Sequence, residues 1–319
     1  MLLVRFCLLS VREEKMMIQN KIVRYSPKVL VENKVSFAAE GSELSIYDTY
    51  QQASQVGLSS DQLMFCGMVS GKKIMHSDGL HDVFLPHESF VMAPNQLVKI
   101  DFPEAKMETP TTCLAIEIAP ERVHQVADQL NHVSPKNSAF GDWRYQHKVM
   151  HTHHTTQTQA LLDRIVEIYT ENNPDRQFLI NLAVTELSAR LLRQQTRDFI
   201  VGYCKQDPEA NRMNAVVSYI LANLALPLDV EQLLKIALMG RTKFFIEFKN
   251  HLGCSPIVFQ QQERLKEAAR LLEHGLQITE TSFAVGFQNI SHFSKTFKAF
   301  FGLSPTLYKQ QKSNTLTLN

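Results

Sequence analysis

The sequence predicts an α+β multidomain protein. A β-rich N-terminal part with flanking helices precedes an all-α C-terminal domain of two helix-turn-helix units joined by a long helix. Three observations predict it. Apolar residues alternate in short runs up to about residue 119, and helical spacing takes over from Pro120. Near the C-terminus, Phe244, Phe248, Lys249, Gly253, Ser255 and Pro256 recur as Phe293, Phe297, Lys298, Gly302, Ser304 and Pro305, every pair 49 residues apart.

The β region is read over residues 21–119. Val98, Ile100 and Phe102 alternate with Lys99 and Asp101, and Leu114, Ile116 and Ile118 alternate with Cys113, Ala115 and Glu117. Gly57, Gly67, Gly71, Gly79, Pro86, Pro94, Pro103 and Pro110 punctuate the runs. Several short strands at this spacing predict a sandwich or barrel. Three helices follow. One begins at Pro120 with Val123, Val126, Ala127 and Leu130 on one side, and another covers 157–171 until Asn172-Asn173-Pro174 breaks it. The third runs from about Asp175 to Arg197. Its Ile180, Val184, Leu187 and Leu191 step by four and three residues, which suits either a dimer seam or a helix packed on its own domain. The polar stretch 198–211, with Gly202 and Pro208, is the expected linker.

Each repeat copy reads as a helix with legible ends. Asn289 is a good N-cap, because its side chain can accept from the orphan N–H groups of the first turn. Gly302 supplies a left-handed stop, Ser304 caps the next helix, and Pro305 sits at its first position. The first copy runs likewise from Gly240 to Gly253, Ser255 and Pro256. A shorter helix precedes each copy, Asp229 to Ile236 and Ile278 to Val285. Two short helices joined by a tight turn form a helix-turn-helix, whose second helix enters the major groove of DNA. Between the units, Pro256 to His274 keeps helical spacing through Leu265, Ala268, Ala269 and Leu272, and Gly275 ends it. Two copies of one unit suit two equivalent targets, such as successive major grooves about 34 Å apart. Paired aromatic residues at helical spacing are usually core, so a purely helical scaffold that never touches DNA is the alternative.

The wording of the repeat narrows the choice. Arg264-Leu265-Lys266-Glu267-Ala268-Ala269-Arg270-Leu271-Leu272, Val285-Gly286-Phe287, Ser291-His292-Phe293-Ser294-Lys295-Thr296-Phe297-Lys298 and Phe301-Gly302-Leu303-Ser304-Pro305-Thr306-Leu307-Tyr308 keep one order and spacing. Residues 212–311 thereby resemble the DNA-binding domain of the AraC/XylS family of bacterial transcription regulators. The resemblance implies recognition helices at Arg241–Asn250 and Ile290–Phe300. Carried over by position, Thr242, Phe245 and Ile246 would meet base edges from the first, and Ile290, Ser291, His292, Ser294 and Lys295 from the second. Lys243, Lys249 and Lys298 are better placed for phosphates, which fix register without reading sequence. The order of strands, helices and two helix-turn-helix units is similar to full-length members. It implies a cupin-like β-barrel, a small-molecule effector or dimerisation control through a homodimer, and RNA polymerase as a further partner.

The first unit departs from the family pattern. Phe245 and Ile246 stand where polar or basic residues are usual, and apolar groups can meet only thymine methyls. Phe245 alternatively belongs to a local core. Leu234 replaces a small residue, and Thr281-Ser282 replaces Ile-Ala in the second unit. The second unit is therefore expected to carry most of the specificity.

Charge is distributed in keeping with this. Residues 212–319 hold 12 Lys/Arg and 7 Asp/Glu, a net of +5, and the remainder nets −4. Cys7, Cys66, Cys113, Cys204 and Cys254 form no C-x-x-C pair, which argues against a zinc cluster or disulfide framework and fits a reducing cytoplasm. The apolar start, residues 1–9, is interrupted by Arg5 and lacks a cleavage site, so neither a signal peptide nor a membrane span is expected. Residues 1–20 are expected to be disordered, with Met1, Met16 and Met17 all open as starts, and 312–319 to be a tail.

Histidines are the one hint of an enzyme. His147, His151, His153 and His154 cluster, and His76, His81 and His87 lie in the β region. A catalytic cupin would need a clustered His-x-His with a later Glu and His, and no HExxH is present. Solvated linker histidines are the expected reading, with no catalytic residues, metal or cofactor. The readings ahead are a DNA-binding regulator, activating, repressing or effector-independent, and a metal-dependent cupin enzyme fused to a DNA-binding domain. Effector-binding residues are unknown from sequence. If a pocket exists, Phe65, Phe84 and Phe90 would face into it.

Overall fold

A computed structural model describes residues 26–77, 80–136, 141–145, 150–206 and 212–316. The expected disordered start, residues 1–20, and His147 lie outside the described residues.

Among the described residues, ten strands form two antiparallel sheets. They are β1 (Asn33–Ala39), β2 (Ser42–Thr49), β3 (Ala53–Leu58), β4 (Leu63–Ser70), β5 (Lys73–Ser77), β6 (Leu80–Phe84), β7 (Glu88–Met92), β8 (Val98–Phe102), β9 (Thr111–Ile118) and β10 (Met150–His153). One sheet has the order β1-β2-β9-β4-β7-β10 and the other β3-β8-β5-β6. The strands cross over between sheets as in a jelly roll, so the cupin-like part is an open two-sheet sandwich rather than a closed barrel.

The central strands β4, β7 and β9 of the larger sheet are buried on both faces, which explains why apolar residues stand at successive positions in their middles. Toward the smaller sheet it turns Met64, Cys66, Met68, Phe90, Met92, Cys113 and Ala115, which pack against Met75, Phe84, Val98, Ile100 and Phe102. Toward the helices it turns Leu63, Phe65, Val69, Val91, Leu114, Ile116 and Ile118. Phe65 therefore does not point into the sandwich with Phe84 and Phe90. Strand alternation puts it on the opposite face from Met64 and Cys66.

Three helices cover that outer face: α1 (Pro120–Val133), α2 (Thr156–Thr170) and α3 (Arg176–Gln206). Ile180, Val184, Leu187 and Leu191 of α3 are all buried there, so the seam read from sequence is intramolecular. Residues 198–206, read as the start of a linker, continue α3 instead. The physical reason is Ile200, which is fully buried with Val201 beside it in the core of the C-terminal domain.

That domain holds α4 (Arg212–Ala222), α5 (Val230–Ala237), α6 (Arg241–Leu252), α7 (Pro256–Glu273), α8 (Ile278–Ala284), α9 (Ile290–Phe301) and α10 (Pro305–Leu316). Helix α6 ends at Gly253 and α9 at Gly302, both left-handed, as the repeat predicts. Ser304 Oγ accepts from the Leu307 N–H at 3.4 Å, whereas Ser255 caps α7 without a side-chain hydrogen bond. Lys312, the first residue of the expected tail, lies within α10.

Among the described residues the two halves meet at two places. Near the end of α3, Arg197 reaches Glu263 of α7, and Arg193 donates to the Asn250 carbonyl at 3.4 Å. On the other side, Val83 and Leu85 of the sandwich share one core with Phe297, Phe301 and Tyr308. Lys312 Nζ donates to the Val83 carbonyl at 2.5 Å and lies 3.7 Å from the buried Glu88 carboxylate, and Lys72 Nζ donates to the Gln311 carbonyl at 3.0 Å. The His87 imidazole lies so close to Gly302 that a Cβ there would overlap it.

Candidate nucleic-acid interface

Each of the two helices read as recognition helices, α6 and α9, is fixed by its aromatic side. In the first unit Phe244 and Phe248 are fully buried and pack with Phe259 and Ile200. Burying a phenylalanine contributes about 1.5–3 kcal/mol, so these anchors outweigh the missing side-chain cap at Gly240. In the second unit Phe293, Phe297 and Phe301 line the same side of α9, with ring centroids 5.5 Å and then 4.4 Å apart. Asn289 caps α9 as the sequence predicts: its Oδ1 accepts from the backbone N–H groups of Ser291 at 2.8 Å and His292 at 3.0 Å.

With the aromatic sides inward, the other sides face solvent. Thr242, Lys243, Ile246 and Lys249 are exposed on α6, and Ile290, Ser291, His292, Lys295 and Lys298 on α9. Ser294 is half-buried. The His292 ring packs on Phe287 at 5.6 Å while remaining exposed. Phe245 is also half-buried, edge-on to Phe244 at 5.5 Å, with the Arg241 guanidinium 5.8 Å from its ring centroid. The local-core reading therefore accounts for part of Phe245, whereas Ile246 is 54% exposed and has no such role.

The two turns before the recognition helices differ. In the first unit Leu238 adopts a left-handed conformation (φ 50°), is 67% exposed, and closes α5 by donating to the carbonyls of Leu234 and Lys235. In the second unit the left-handed residue is Gly286 (φ 85°), and Phe287 is buried behind it. Thr281 and Ser282 of α8 are fully buried, and neither hydroxyl has a hydrogen-bond partner among the described residues. Leu234 is half-buried against the first unit's core.

The described part of the histidine run does not form a solvated linker. Residues 150–153 pair as β10 with β7, and His151 Nε2 lies 3.4 Å from the Glu88 carboxylate. His154 is buried, meeting Ser89 Oγ with one ring nitrogen and Gln159 Oε1, at 2.9 Å, with the other. His76 meets Asp101 at 2.7 Å. Among the described residues no group of three or more His, Cys, Asp or Glu is placed to hold a metal ion, and no helix is long and apolar enough to cross a membrane.

Comparison with known proteins matches both halves in the expected order. Residues 41–199 match the family model of the AraC-type transcriptional regulator N-terminus, and residues 233–311 match a helix-turn-helix domain model. The chain belongs to the AraC/XylS family. An uncharacterized HTH-type transcriptional regulator of Haemophilus influenzae is 36% identical over 136 residues, 42% of this chain and 45% of that protein. The probable transcriptional regulator LumQ of Photobacterium leiognathi is 28% identical over 144 residues, covering 41% and 58%. The chain thus spans about half the length of these AraC/XylS relatives. Among solved structures, the DNA-binding domain of AdpA in complex with a target DNA is 26% identical, with a TM-score of 0.32, covering 34% of this chain and 99% of that one.

Proposed function

We propose that this chain is a bacterial transcription regulator that binds double-stranded DNA in the cytoplasm, placing α6 and α9 in two adjacent major grooves, and that it acts as an activator contacting RNA polymerase. The observation that carries the reading is the two-sidedness of these helices. Their phenylalanines are spent on the scaffold, and a hydroxyl and lysine surface is left outward on both. Ser291, Ser294 and Lys295 have the chemistry for base edges, with Lys295 able to donate to guanine O6 or N7. Lys243, Lys249 and Lys298 suit phosphates. The basic balance of this part, net +5, favours the same partner. Thr242, Ile246, Ile290 and His292 complete the surface, and the first unit reads sequence less sharply, because Phe245 is partly committed to packing.

Control is assigned to the N-terminal half, by an effector or by homodimerisation. The shared core of Val83, Leu85, Phe301 and Tyr308 supports this, since a change in the sandwich at that point alters what holds the second unit. An effector can shift such an equilibrium only by binding two states unequally. An effector-independent regulator is the second reading. It is favoured by the sandwich interior, where Met64, Met68, Met75, Phe84, Phe90 and Met92 are closely packed.

The test is selection of sites from a random DNA pool by the full chain at two salt concentrations. A motif of two short blocks about one turn apart, bound less tightly as salt rises, is expected. No enrichment at either salt overturns the reading.

A further inference from the structure

A helix between two DNA-reading units sets an upper limit on their separation but does not fix their relative rotation. Something must also tie the units to each other, and the residue that does so is in α7. Arg264 spreads its guanidinium over three backbone carbonyls. Nε donates to Leu224, Nη2 to Leu226 at 2.7 Å, and Nη1 to Gly286 at 3.3 Å. Leu224 and Leu226 lie in the loop that leads into α5, and hence into the first unit. Gly286 lies in the turn of the second unit, four residues before α9 begins. One planar fork therefore joins both units to the helix between them. Lysine, a single point donor, cannot reproduce that geometry.

The same place holds a direct backbone approach. Gly286 is left-handed, and a Cβ on it would stand 2.3 Å from the Ala225 carbonyl oxygen. Backbone is on both sides of this contact, so no rotamer change could relieve it. Gln260, one turn earlier on α7, reinforces the loop by donating to the Leu226 carbonyl at 3.0 Å. None of these groups lies among the outward residues assigned above to base or phosphate contact.

From this junction we infer that Arg264 and Gly286 are positioning residues that set the spacing and phase at which α6 and α9 meet DNA. They make the protein selective for the number of base pairs between its two half-sites. The inference rests on the two-groove reading proposed above. With the lock intact, inserting or deleting one base pair rotates one half-site by about 35° relative to the other, and a rigid pair of units cannot follow. With the lock released, the units keep only their separate packing on α7 and on the N-terminal half, and the pair tolerates altered spacers.

The experiment uses the full chain and the two-block site selected by the wild type, with the spacer changed by one or two base pairs either way. Wild type is expected to lose about tenfold or more in affinity on each altered spacer, a loss of the size of a mismatched base pair. Arg264→Gln and Gly286→Ala are expected to reduce that penalty to about threefold or less, while base preferences inside each block stay as in wild type. Arg264→Lys is the milder variant should either of these fail to unfold cooperatively, and it is expected to fall between. Cooperatively folded variants that keep the full wild-type spacer penalty overturn the inference and leave the two-groove reading standing. A wild type that selects no two-block site overturns that reading, and this inference with it.

Discussion

Arg197 Nη2 donates to the Glu263 carboxylate at 2.8 Å across the junction between the two halves, and both side chains are only 9% exposed. Lys266 lies 3.0 Å from the same oxygen, and the Arg197 guanidinium also stacks 4.9 Å from the Phe259 ring centroid. Burial pushes the Glu263 carboxyl up, but Lys266 and Arg197 together outweigh it and hold the group below its ordinary 4.5. Removing the acid leaves a buried guanidinium without its counter-charge. Glu263→Ala is expected to cost about 3–5 kcal/mol in denaturant unfolding.

The pair also gives a pH signature. A carboxylate whose folded pKa is depressed contributes stability above its unfolded value and loses it as pH falls through the folded value. The gap between wild type and Glu263→Gln is therefore expected to be constant above about pH 5.5 and to shrink below about 4.5. Asp198 nearby, pushed up chiefly by burial and in part by Glu263 itself, titrates with the opposite sign, so Asp198→Asn is made in both backgrounds to isolate Glu263. A gap that stays flat through acid pH would contradict the assignment.

Base reading and phosphate contact separate by substitution. Lys295→Ala is expected to relax base preference at one position and to cost about 1–3 kcal/mol on the preferred site. Lys298→Ala is expected to weaken all sequences alike and to lower the salt slope by about one. Equal base preferences in wild type and Lys295→Ala would remove Lys295 from the reading set.

Helix α8 carries two buried hydroxyls, Thr281 and Ser282, that have no partner among the described residues. Leaving such a group unsatisfied costs about 1–3 kcal/mol. Ser282→Ala and Thr281→Val are therefore each expected to raise stability by about 1 kcal/mol, visible as a higher Tm. A fall in Tm would mean that these hydroxyls are satisfied in solution.

The contact between sandwich and second unit has its own test. Lys312→Met keeps the stem over Tyr308 and removes the donor to Val83 and the charge facing Glu88. Faster amide exchange is expected across residues 83–88 and 305–312, because local opening no longer breaks a charged contact. Unchanged exchange there would show that the apolar contacts alone close this junction.

How far the sequence could be read follows from how local each signal is. Asn289, Gly253 and Gly302 act within one turn of their own helices, and each stands where its residue type predicts. Leu238 illustrates the reverse. A left-handed leucine has no side-chain signal in the sequence, and what accompanies it is backbone bonding of its N–H to the Leu234 and Lys235 carbonyls. His154 was misread because a polar, histidine-rich run has no apolar alternation, although its first residues pair with β7 and so carry His154 to Ser89. Phe65 failed for a different reason. Alternation gives two faces, and the sequence does not say which face the helices cover. The sequence places the end of α3 too early, at Arg197, because Ile200 and Val201 are followed by Gly202, a residue that usually interrupts a helix. The lock at Arg264 was invisible because its partners are carbonyls, which every residue has. The recognition helices were legible because a repeated phenylalanine pair fixes which side remains free.

The unbroken α3 makes a lever of the N-terminal half. Its 31 residues span about 46 Å, so a tilt of about 5° at the sheet end carries the far end by roughly 4 Å, close to the ~3.4 Å step between stacked base pairs. The first unit travels with that end, through Ile200 and Arg197. The second unit is held separately, at Lys312 beside Glu88, so such a tilt would turn the two units about that contact. On the two-groove reading proposed above, such a tilt would shift a recognition helix by about one base-pair step.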